Sequence, residues 1–407
     1  MFNKYKKLNE IDSIKYVKEK MDLFGEDENL ISREIGDGNI NYVYRIFSKD
    51  RSSSIVVKQA DKKLRSSGRN LDRDRIRIEA EALILEGELA PGMVPKIYLY
   101  DEIMNCIIME DLSEYQIMRE ALLDGKICKN FAEKISDFLV NTMIPTTDLV
   151  KSPMEKKKMV KNFINPELCD ISERLVFKDP YIDIEENTFQ EDNKVFVEND
   201  LYKDENLHTE VLKLKNEFMT NAQALIHGDL HTGSIFVKDD EIKIIDSEFA
   251  FYGPIGYDIG NVIANLIFAK IRNLILNRTP NNFDIWITKT IKNTLDLFKK
   301  KFCKYLLKNT EENSIKTKGF YQWYLNGILE YTAGAAGLEI IRRIVGEAKV
   351  KDIETIKNSE LKSKGERLGI AVAKDFIIRR KEIKQGKDYL DIFDEKFQEE
   401  LYNEKIW

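Results

Sequence analysis

The chain has only four cysteines and three histidines among its 407 residues, so few side chains are available for disulfides or for soft metal ions. The cysteines are far apart, and none belongs to a Cys-x-x-Cys pair; they are Cys106, Cys128, Cys169 and Cys303. A disulfide framework or a structural zinc site needs closely repeated ligands, and the sequence therefore predicts neither. Four buried free thiols are the expected state.

An excess of one charge is also absent, since 64 lysines and arginines face 70 aspartates and glutamates, for a net charge of −6. This near balance argues against a nucleic-acid-binding protein, which would carry a concentrated basic face. Residues 1–7 are polar and basic with no apolar stretch behind them, which is unlike a signal peptide. The most apolar stretch, 255–269, is interrupted by polar residues and is too short to span a bilayer. We therefore predict a cytoplasmic protein with no membrane partner.

Residues 29–110 have the pattern of a small β-rich unit with one helix. Short apolar runs separated by turns predict a five-stranded antiparallel sheet, with strands at 31–35, 40–47, 54–58, 97–100 and 107–109. Helical periodicity at 74–89 ends at a Pro-Gly pair.

Beyond residue 111 the sequence is mainly helical. Helical periodicity is found at 129–143, 208–224, 259–275, 287–307, 320–346 and 366–380. Residues 180–206 are rich in Asp, Glu and Asn, which predicts an exposed insertion or a loosely held segment. We predict an α+β fold of two lobes, a β-rich lobe of residues 1–111 and a mainly helical lobe of residues 112–407. A nucleotide-binding crevice is expected between them.

Two short acidic motifs carry the chemistry. The first is His-Gly-Asp-Leu-His-Thr-Gly-Ser at 227–234, and the second, Asp-Ser-Glu at 246–248, follows an apolar β-run. In kinase-like folds one aspartate of such motifs meets the substrate hydroxyl, and a second acidic group holds Mg²⁺ between the ATP phosphates. Asp229 is the predicted base. Asp246 and Glu248 alternate along an extended chain, so both carboxylates are expected to point toward a shared cation.

Each motif also has a plainer interpretation. His227 and His231 are four residues apart, a spacing that zinc-binding helices use, but Gly228 and Gly233 disfavour a helix. His227 is expected instead to hold the loop by hydrogen bonds. A pair of solvated turn acids is the alternative for the second motif, and the apolar and aromatic residues on both sides disfavour it.

Three features of the β-rich unit fit nucleotide binding. The Gly-Asp-Gly-Asn turn at 36–39 would let backbone N–H groups approach phosphates, although such turns are also ordinary hairpin chemistry. Lys58 ends an apolar strand, where its ammonium group needs a partner; Glu79 of the next helix is the better candidate and Glu81 the runner-up. Residues 110–112 would offer backbone groups to an adenine ring, or else form an ordinary linker.

Together these motifs resemble the 5-methylthioribose kinases, in the choline-kinase and aminoglycoside-phosphotransferase branch of the protein-kinase-like fold. The similarity runs from residue 36 to about residue 343. It includes Val-Val-Lys-Gln-Ala at 56–60, Met-Glu-Asp-Leu at 109–112, Gly-Tyr-Asp-Ile-Gly at 256–260 and Ile-Arg-Arg-Ile at 341–344. The chain departs from the family pattern at 61–73, where a Gly-Glu-Ser-Trp-Pro element is expected, and at Ser247, where proline is usual.

The resemblance implies an ATP- and Mg²⁺-dependent enzyme that phosphorylates the 1-hydroxyl of 5-methylthioribose in methionine salvage. It implies Asp229 as catalytic base and substrate ligand, and Arg342 and Arg343 as groups that hold the substrate and the developing phosphoryl charge. Asp246 and Glu248 would be the Mg²⁺ ligands. The residues expected to bind the nucleotide and its metal are Gly38, Asn39, Lys58, Glu79, Glu110, Asp111, Leu112, Asp246, Ser247 and Glu248. The expected partner is the small-molecule substrate, with a homodimer left open.

Two alternatives to this activity are kept. One is another small-alcohol kinase of the same branch, although choline and aminoglycosides are cations that a pair of arginines would repel. The other is a nucleotide-binding pseudokinase that acts as a scaffold. The presence of Lys58, Asp229 and Asp246 disfavours it.

Overall fold

The structure, a computed structural model, describes residues 2–25, 28–35, 41–50, 53–63, 70–277 and 281–404. The chain forms two compact units. The first comprises Met1–Gln116 and Lys243–Ala250, and the second comprises Ile117–Ile242 and Phe251–Trp407. The sequence predicts a boundary at residue 111 and does not reveal that 243–250, which carries the second acidic motif, belongs to the first unit.

The first unit is built on a five-stranded sheet with a helix on each face. In chain order its elements are α1 (Glu10–Lys20), β1 (Leu30–Glu34), β2 (Tyr42–Ser48), β3 (Ser54–Gln59), α2 (Arg75–Leu89), β4 (Ile97–Asp101) and β5 (Cys106–Glu110). The strand order is β1-β2-β3-β5-β4, and each neighbouring pair is antiparallel. The predicted sheet and α2 are confirmed, whereas the sequence analysis misses α1.

The alternation of side chains along β3 decides where Lys58 lies. Ile55 and Val57 point to one face and belong to a core cluster that includes Tyr16 of α1. Val56 points to the other face and packs in a cluster with Ile76 of α2. Because Lys58 is two residues from Val56, its side chain leaves the sheet on the side of α2. An ammonium group placed there needs an anionic partner from that helix.

The second unit is mainly helical. Its helices are α3 (Met118–Leu123), α4 (Phe131–Met143), α5 (Pro153–Asn162), α6 (Pro166–Phe177), α7 (Lys194–Val197), α8 (Glu205–Thr220), α9 (Gly256–Asn277), α10 (Asn282–Asn309), α11 (Lys318–Ile344), α12 (Lys351–Glu354), α13 (Ser359–Ile378) and α14 (Gly386–Glu404). The remaining strands are β6 (Gln116–Ile117), β7 (Ala224–Ile226), β8 (Ile235–Lys238), β9 (Glu241–Ile244) and β10 (Phe251–Gly253). Strands β7 and β10 pair antiparallel, and β9 carries the chain into the first unit. The six predicted helices correspond to α4, α8, α9, α10, α11 and α13.

Helices α9 and α11 approach each other closely at small residues. A Cβ at Gly260 would lie 2.6 Å from the Cβ of Ala335, and one at Gly256 would lie 2.6 Å from the backbone nitrogen of Thr332. Only glycine fits such a contact without movement of the backbone. The last four turns of α11 are buried as a result, including the turn that carries Arg342 and Arg343.

Two expectations for the second unit need correction. Residues 180–206 are not simply an exposed insertion, because they form short helical turns in which Asn193, Val197 and Leu201 are buried. The apolar stretch predicted at 255–269 is also longer than expected. Among the described residues, one helix is long and apolar enough to cross a membrane, Gly256–Leu276, with a mean hydropathy of 1.4 over its most apolar window. Since 78% of that window is buried within the protein, α9 has the surroundings of a core helix.

Candidate active site

The first unit places Lys58 between two carboxylates. Its Nζ donates to Glu79 Oε1 at 2.6 Å and to Asp246 Oδ1 at 2.5 Å. Lys58 and Glu79 are buried, whereas the side chain of Asp246 is 45% exposed. Burial alone would lower the pKa of Lys58, but Asp246, Glu79 and Glu248 raise it well above its ordinary value. Lys58 therefore carries a permanent positive charge at this place.

The helix partner of Lys58 is Glu79 rather than Glu81. Glu81 instead pairs with Arg77 at 3.2 Å, one turn earlier on α2. Burial raises the pKa of Glu79 to about 8, an effect that Lys58 opposes and the neighbouring Asp246 reinforces. The second oxygen of Glu79, Oε2, is buried and has no hydrogen-bond partner among the described residues. Three carboxyl groups, of Glu79, Asp246 and Glu248, therefore lie around one ammonium group, and the raised pKa leaves Glu79 largely protonated at pH 7.

Asp246 has an unusual backbone conformation. Its φ of +66° and ψ of 39° lie in the left-handed region, which Asp tolerates better than most residues. It is followed by a single 3₁₀ turn, Ser247–Phe249. The predicted alternation of Asp246 and Glu248 along an extended chain is therefore wrong. Such constrained backbone often occurs at functional residues.

Glu248 lies in a buried polar network that no sequence motif predicts. The Nδ2 of Asn41 donates to Glu248 Oε2 at 2.9 Å, and Arg75 Nε lies 3.7 Å from the same oxygen. Burial raises the pKa of Glu248, whereas Lys58, Arg75 and the hydrogen bond from Asn41 oppose that rise. Asn41 is separated from Glu248 by 207 residues, so no local pattern could reveal the contact.

Ser247, Gly38 and Asn39 are also predicted to bind the nucleotide. Ser247 is fully buried and its hydroxyl donates to Glu86 Oε2 at 3.0 Å, so its side chain anchors the acidic loop to α2. Nucleotide binding by Ser247 stays a prediction. Gly38 and Asn39 lie outside the described residues.

The segment predicted to meet adenine has its side chains engaged within the first unit. Glu110 accepts from Lys243 Nζ at 2.8 and 2.7 Å, and Asp111 accepts from Arg45 Nε at 2.6 Å. Leu112 is buried. Any contact of this segment with a nucleotide would therefore use the backbone, as the sequence analysis expects.

In the second unit, a buried aspartate shapes the loop that carries Asp229. Asp258, near the start of α9, accepts from the backbone N–H groups of His227 at 2.7 Å and Gly228 at 3.0 Å. Gly228 has a φ of +82°, a conformation that favours glycine. These contacts fix the backbone immediately before Asp229.

Two arginines hold Asp229, and the family resemblance places all three residues at the substrate. Arg342 Nη2 donates to Asp229 Oδ1 at 2.7 Å, and Arg343 Nη2 lies 3.4 Å from the same oxygen. Glu339 accepts from the Nε of both arginines, at 2.9 Å in the case of Arg343. Because these three residues are spaced i, i+3 and i+4 on α11, they lie on one face of that helix. Glu339 is a member of the site that the sequence analysis misses.

The charges around Asp229 keep it ionised. Burial alone would raise the pKa of Asp229, but His231 when it is protonated, Arg342 and Arg343 lower it well below its usual range. The pKa of Glu339 is also lowered, since Arg342 and Arg343 outweigh its burial. Both carboxylates are therefore anionic at neutral pH.

His231 contacts the second oxygen of Asp229. Its Nδ1 accepts from the backbone N–H of Gly233 at 3.0 Å, and its Nε2 lies 3.4 Å from Asp229 Oδ2. Burial lowers the pKa of His231 to about 3, with Arg343 adding to this effect and Asp229 opposing it. A neutral ring whose Nδ1 accepts must carry its proton on Nε2, which therefore faces Asp229 as a donor. A Cβ at residue 233 would lie 2.7 Å from the ring, so Gly233 is required for this arrangement.

The low pKa of His231 predicts a specific dependence of stability on pH. An unfolded histidine binds a proton with a pKa near 6.5, whereas His231 in the folded protein does not until about 3. Protonation thus favours the unfolded chain as the pH falls through this window. The free energy of unfolding of the wild type relative to His231→Gln should decrease by about 2 kcal/mol between pH 7 and pH 5. Urea unfolding at both pH values measures it, and an unchanged difference would contradict a neutral buried His231.

Comparison with known proteins gives the family. The model of the phosphotransferase enzyme family matches residues 32–279. The methylthioribose kinase of Geobacillus sp. (strain WCH70) is 38% identical over 376 residues, which cover 92% of this chain and 92% of the relative. That of Yersinia enterocolitica serotype O:8 is 33% identical, with 95% and 98% covered. The chain belongs to the methylthioribose kinase family. A solved structure of choline kinase from Cryptosporidium parvum Iowa II aligns with 97% of this chain and 98% of its own at 14% identity and a TM-score of 0.44.

Membership of the methylthioribose kinase family confirms the predicted α+β, protein-kinase-like fold and the assignment as a phosphotransferase. A Mg²⁺ ion bound with ATP would need ligands among the residues present. No group of three or more His, Cys, Asp and Glu side chains in the described parts of the chain could by itself hold a metal ion. Mg²⁺ held with nucleotide phosphates needs only one or two protein carboxylates. Asp246 is exposed enough to provide one, and a divalent cation would relieve the crowding of carboxyl groups that raises the pKa of Glu79.

The charges around Asp229 in this methylthioribose kinase family member correct the expectation that the arginine pair would repel cations. Arg342 and Arg343 face the carboxylates of Asp229 and Glu339, and His231 is neutral. The arginine pair therefore does not repel cations strongly, contrary to the expectation from the sequence. Glu339 offsets part of its positive charge. The cluster also lacks the acidic surplus that a binder of cations needs.

Proposed function

We propose that the protein transfers the γ-phosphoryl group of ATP to the 1-hydroxyl of 5-methylthioribose, giving ADP and 5-methylthioribose 1-phosphate in methionine salvage. The observation that carries this proposal is the carboxylate of Asp229 held between two arginines and a neutral histidine. Relatives named methylthioribose kinase, at 33–38% identity over nearly their whole lengths, support the choice of substrate.

Asp229 is the proposed catalytic residue of the second unit. Its ionised carboxylate accepts a hydrogen bond from the sugar 1-hydroxyl and orients that oxygen toward the γ-phosphorus. As the new P–O bond forms and the bond to the ADP oxygen breaks, the hydroxyl proton passes to Asp229. Because the arginines lower its pKa, Asp229 is a weak base, which suits a loose transition state in which the hydroxyl loses its proton late.

Arg342 and Arg343 are proposed to serve two stages of this reaction. In the resting protein their guanidinium groups hold Asp229 Oδ1, which fixes its rotamer. During transfer, negative charge spreads over the equatorial oxygens of the phosphoryl group, and guanidinium groups offer several N–H donors to such oxygens. Glu339 keeps both side chains on the required face of α11.

The first unit is proposed to bind Mg²⁺ and ATP. Lys58 would contact the phosphates, with Asp246 and Glu248 as the metal ligands, and bound Mg²⁺ would neutralise charge on the β- and γ-phosphates. The backbone of Glu110, Asp111 and Leu112 would meet the adenine ring. Gly38 and Asn39, which lie outside the described residues, stay predicted phosphate-binding residues. Glu79 would keep Lys58 directed toward them, as its 2.6 Å contact in the structure indicates.

A neutral substrate is also compatible with the charges of the second unit. The Asp229 cluster balances two carboxylates against two guanidinium groups, so it offers no net attraction to a choline or an aminoglycoside. A sugar with several hydroxyls can donate to the carboxylates and accept from the guanidinium groups. The proposed partners are small molecules in the cytoplasm, and a homodimer stays a prediction.

A panel of acceptors tests this proposal. Purified protein with Mg²⁺ and ATP would be given 5-methylthioribose, ribose, choline or an aminoglycoside, and ADP release would be followed by a coupled assay. We expect rapid release with 5-methylthioribose and background release with choline and the aminoglycoside. Turnover confined to choline or an aminoglycoside would assign the protein to another activity of the same branch, and no turnover with any acceptor would favour the pseudokinase alternative.

A further inference from the structure

Three buried side chains from distant parts of the chain meet at Glu248. Asn41 precedes β2, Arg75 is the first residue of α2, and Glu248 lies in the acidic loop. All three are less than one-tenth exposed. Asn41 Nδ2 donates to Glu248 Oε2 at 2.9 Å, while Asn41 Oδ1 accepts from Arg75 Nε at 3.2 Å and Arg75 Nη2 at 3.0 Å.

The guanidinium group determines which way the amide of Asn41 faces. Two N–H groups of Arg75 converge on Asn41 Oδ1, so only the amide nitrogen can turn toward Glu248. Arg75 also lies 3.7 Å from Glu248 Oε2 and adds a positive charge beside it. Asn41 thus donates to Oε2 of Glu248, and the cation of Arg75 lies beside the same oxygen.

Arg75 is itself firmly anchored. Its Nη1 donates to the backbone oxygen of Asp72 at 2.7 Å, and its Nη2 donates to that of Asp61 at 2.8 Å. These contacts connect the chain after β3 to the beginning of α2, the helix that also carries Glu79. A rigid support of this kind holds a carboxylate in one orientation, as a metal ligand requires.

We propose that Asn41 and Arg75 are positioning residues that fix Glu248 as a ligand of the nucleotide-bound Mg²⁺. This inference rests on the proposed function, in which Glu248 binds the metal. Loss of either side chain leaves Glu248 in place but free to rotate away from the metal.

Metal affinity, measured apart from turnover, tests this inference. Mn²⁺ would be titrated into the full-length protein with the non-hydrolysable analogue AMP-PNP, and free Mn²⁺ would be measured by electron paramagnetic resonance. Asn41→Asp keeps the size of the side chain but removes the donor to Glu248, and Arg75→Lys keeps the charge but removes the fork. Each should weaken Mn²⁺ binding by roughly 10–100-fold, the effect typical of residues that orient metal ligands. Melting temperatures recorded alongside must show a single cooperative transition for both variants.

Two further variants separate the possible outcomes. Arg77→Met removes a neighbouring arginine of α2 that pairs with Asp74 and Glu81 and should leave Mn²⁺ affinity unchanged. Glu248→Gln should weaken Mn²⁺ binding, and adding Asn41→Asp to it should weaken binding no further. If Glu248→Gln weakens binding while Asn41→Asp and Arg75→Lys do not, the positioning role is overturned and the proposed function stands. If Glu248→Gln has no effect, the metal assignment in the proposed function is overturned together with this inference.

Discussion

Replacing Asp229 with asparagine should lower kcat for 5-methylthioribose phosphorylation by roughly 10²–10⁴-fold, the usual contribution of a well-placed general base. Asparagine keeps the shape of the side chain and an oxygen that can accept from Arg342 and Arg343. It cannot take up the proton that the sugar hydroxyl releases. Steady-state kinetics with Mg²⁺ and ATP measure the change, and KM for ATP should stay within a few-fold of the wild type.

A neighbouring aspartate provides the control for this substitution. Asp240 is exposed on the turn between β8 and β9, and Asp240→Asn should leave kcat unchanged. Removal of the Asp229 charge leaves two buried arginines with only Glu339, so the melting temperature of Asp229→Asn must be checked. A folded Asp229→Asn protein with the turnover of the wild type would remove Asp229 from the mechanism.

Replacing Lys58 with methionine should both abolish tight ATP binding and destabilise the protein. The buried carboxyl group of Glu79, whose pKa is already raised to about 8, would lose its hydrogen-bond partner, and a buried polar group left unsatisfied costs roughly 1–3 kcal/mol of unfolding free energy. Asp246 is half exposed and would be affected less. Urea unfolding at pH 7 measures the stability, and equilibrium binding of a fluorescent ATP analogue measures the nucleotide affinity.

Glu79 allows the two effects of Lys58→Met to be separated. In the double variant Lys58→Met, Glu79→Leu the buried polar pair is replaced by apolar side chains, so most of the lost stability should return while ATP binding stays weak. Glu81→Gln is the matched control, because that partly exposed residue pairs with Arg77 and should change stability by no more than about 0.5 kcal/mol. A Lys58→Met protein as stable as the wild type would contradict the buried pair.

Most elements of the first unit can be predicted from the sequence because they leave a local pattern of residue types. Alternation of apolar residues in β3 and the 3.6-residue period of α2 predict both elements and place Lys58 on the side of the helix. The helix α1 was missed because its apolar residues are few, and only contact with the sheet buries Tyr16 and Val17. The return of residues 243–250 to the first unit has no local signal at all.

The candidate site likewise contains residues that local motifs reveal and residues that they do not. Lys58, Asp229, Asp246 and Glu248 stand in short motifs that point to them as site residues, and their roles stay predictions. Asn41 and Arg75 could not be found, because their roles depend on contacts with residues far away in the sequence. Glu339 had a weak signal, since it precedes the arginines by three and four residues on one helix face.

Local geometry also corrected what the motifs alone suggested. Ser247 follows Asp246 directly, yet its hydroxyl faces Glu86 because the chain forms a 3₁₀ turn rather than a strand. The choice between Glu79 and Glu81 depended on which one the helix buries. Patterns of residue type therefore predict which groups carry the chemistry, whereas the side chains that orient those groups could be found only in the folded structure.

Phosphorus–proton correlation NMR of the reaction product tests the central claim most directly. Wild-type protein would be incubated with Mg²⁺, ATP and 5-methylthioribose until ADP formation stops. The account predicts a sugar phosphate whose phosphorus correlates with the anomeric proton at carbon 1, formed in equal amount to ADP. A phosphorus that correlates with the proton at carbon 2 or 3, or the absence of any sugar phosphate, would contradict it.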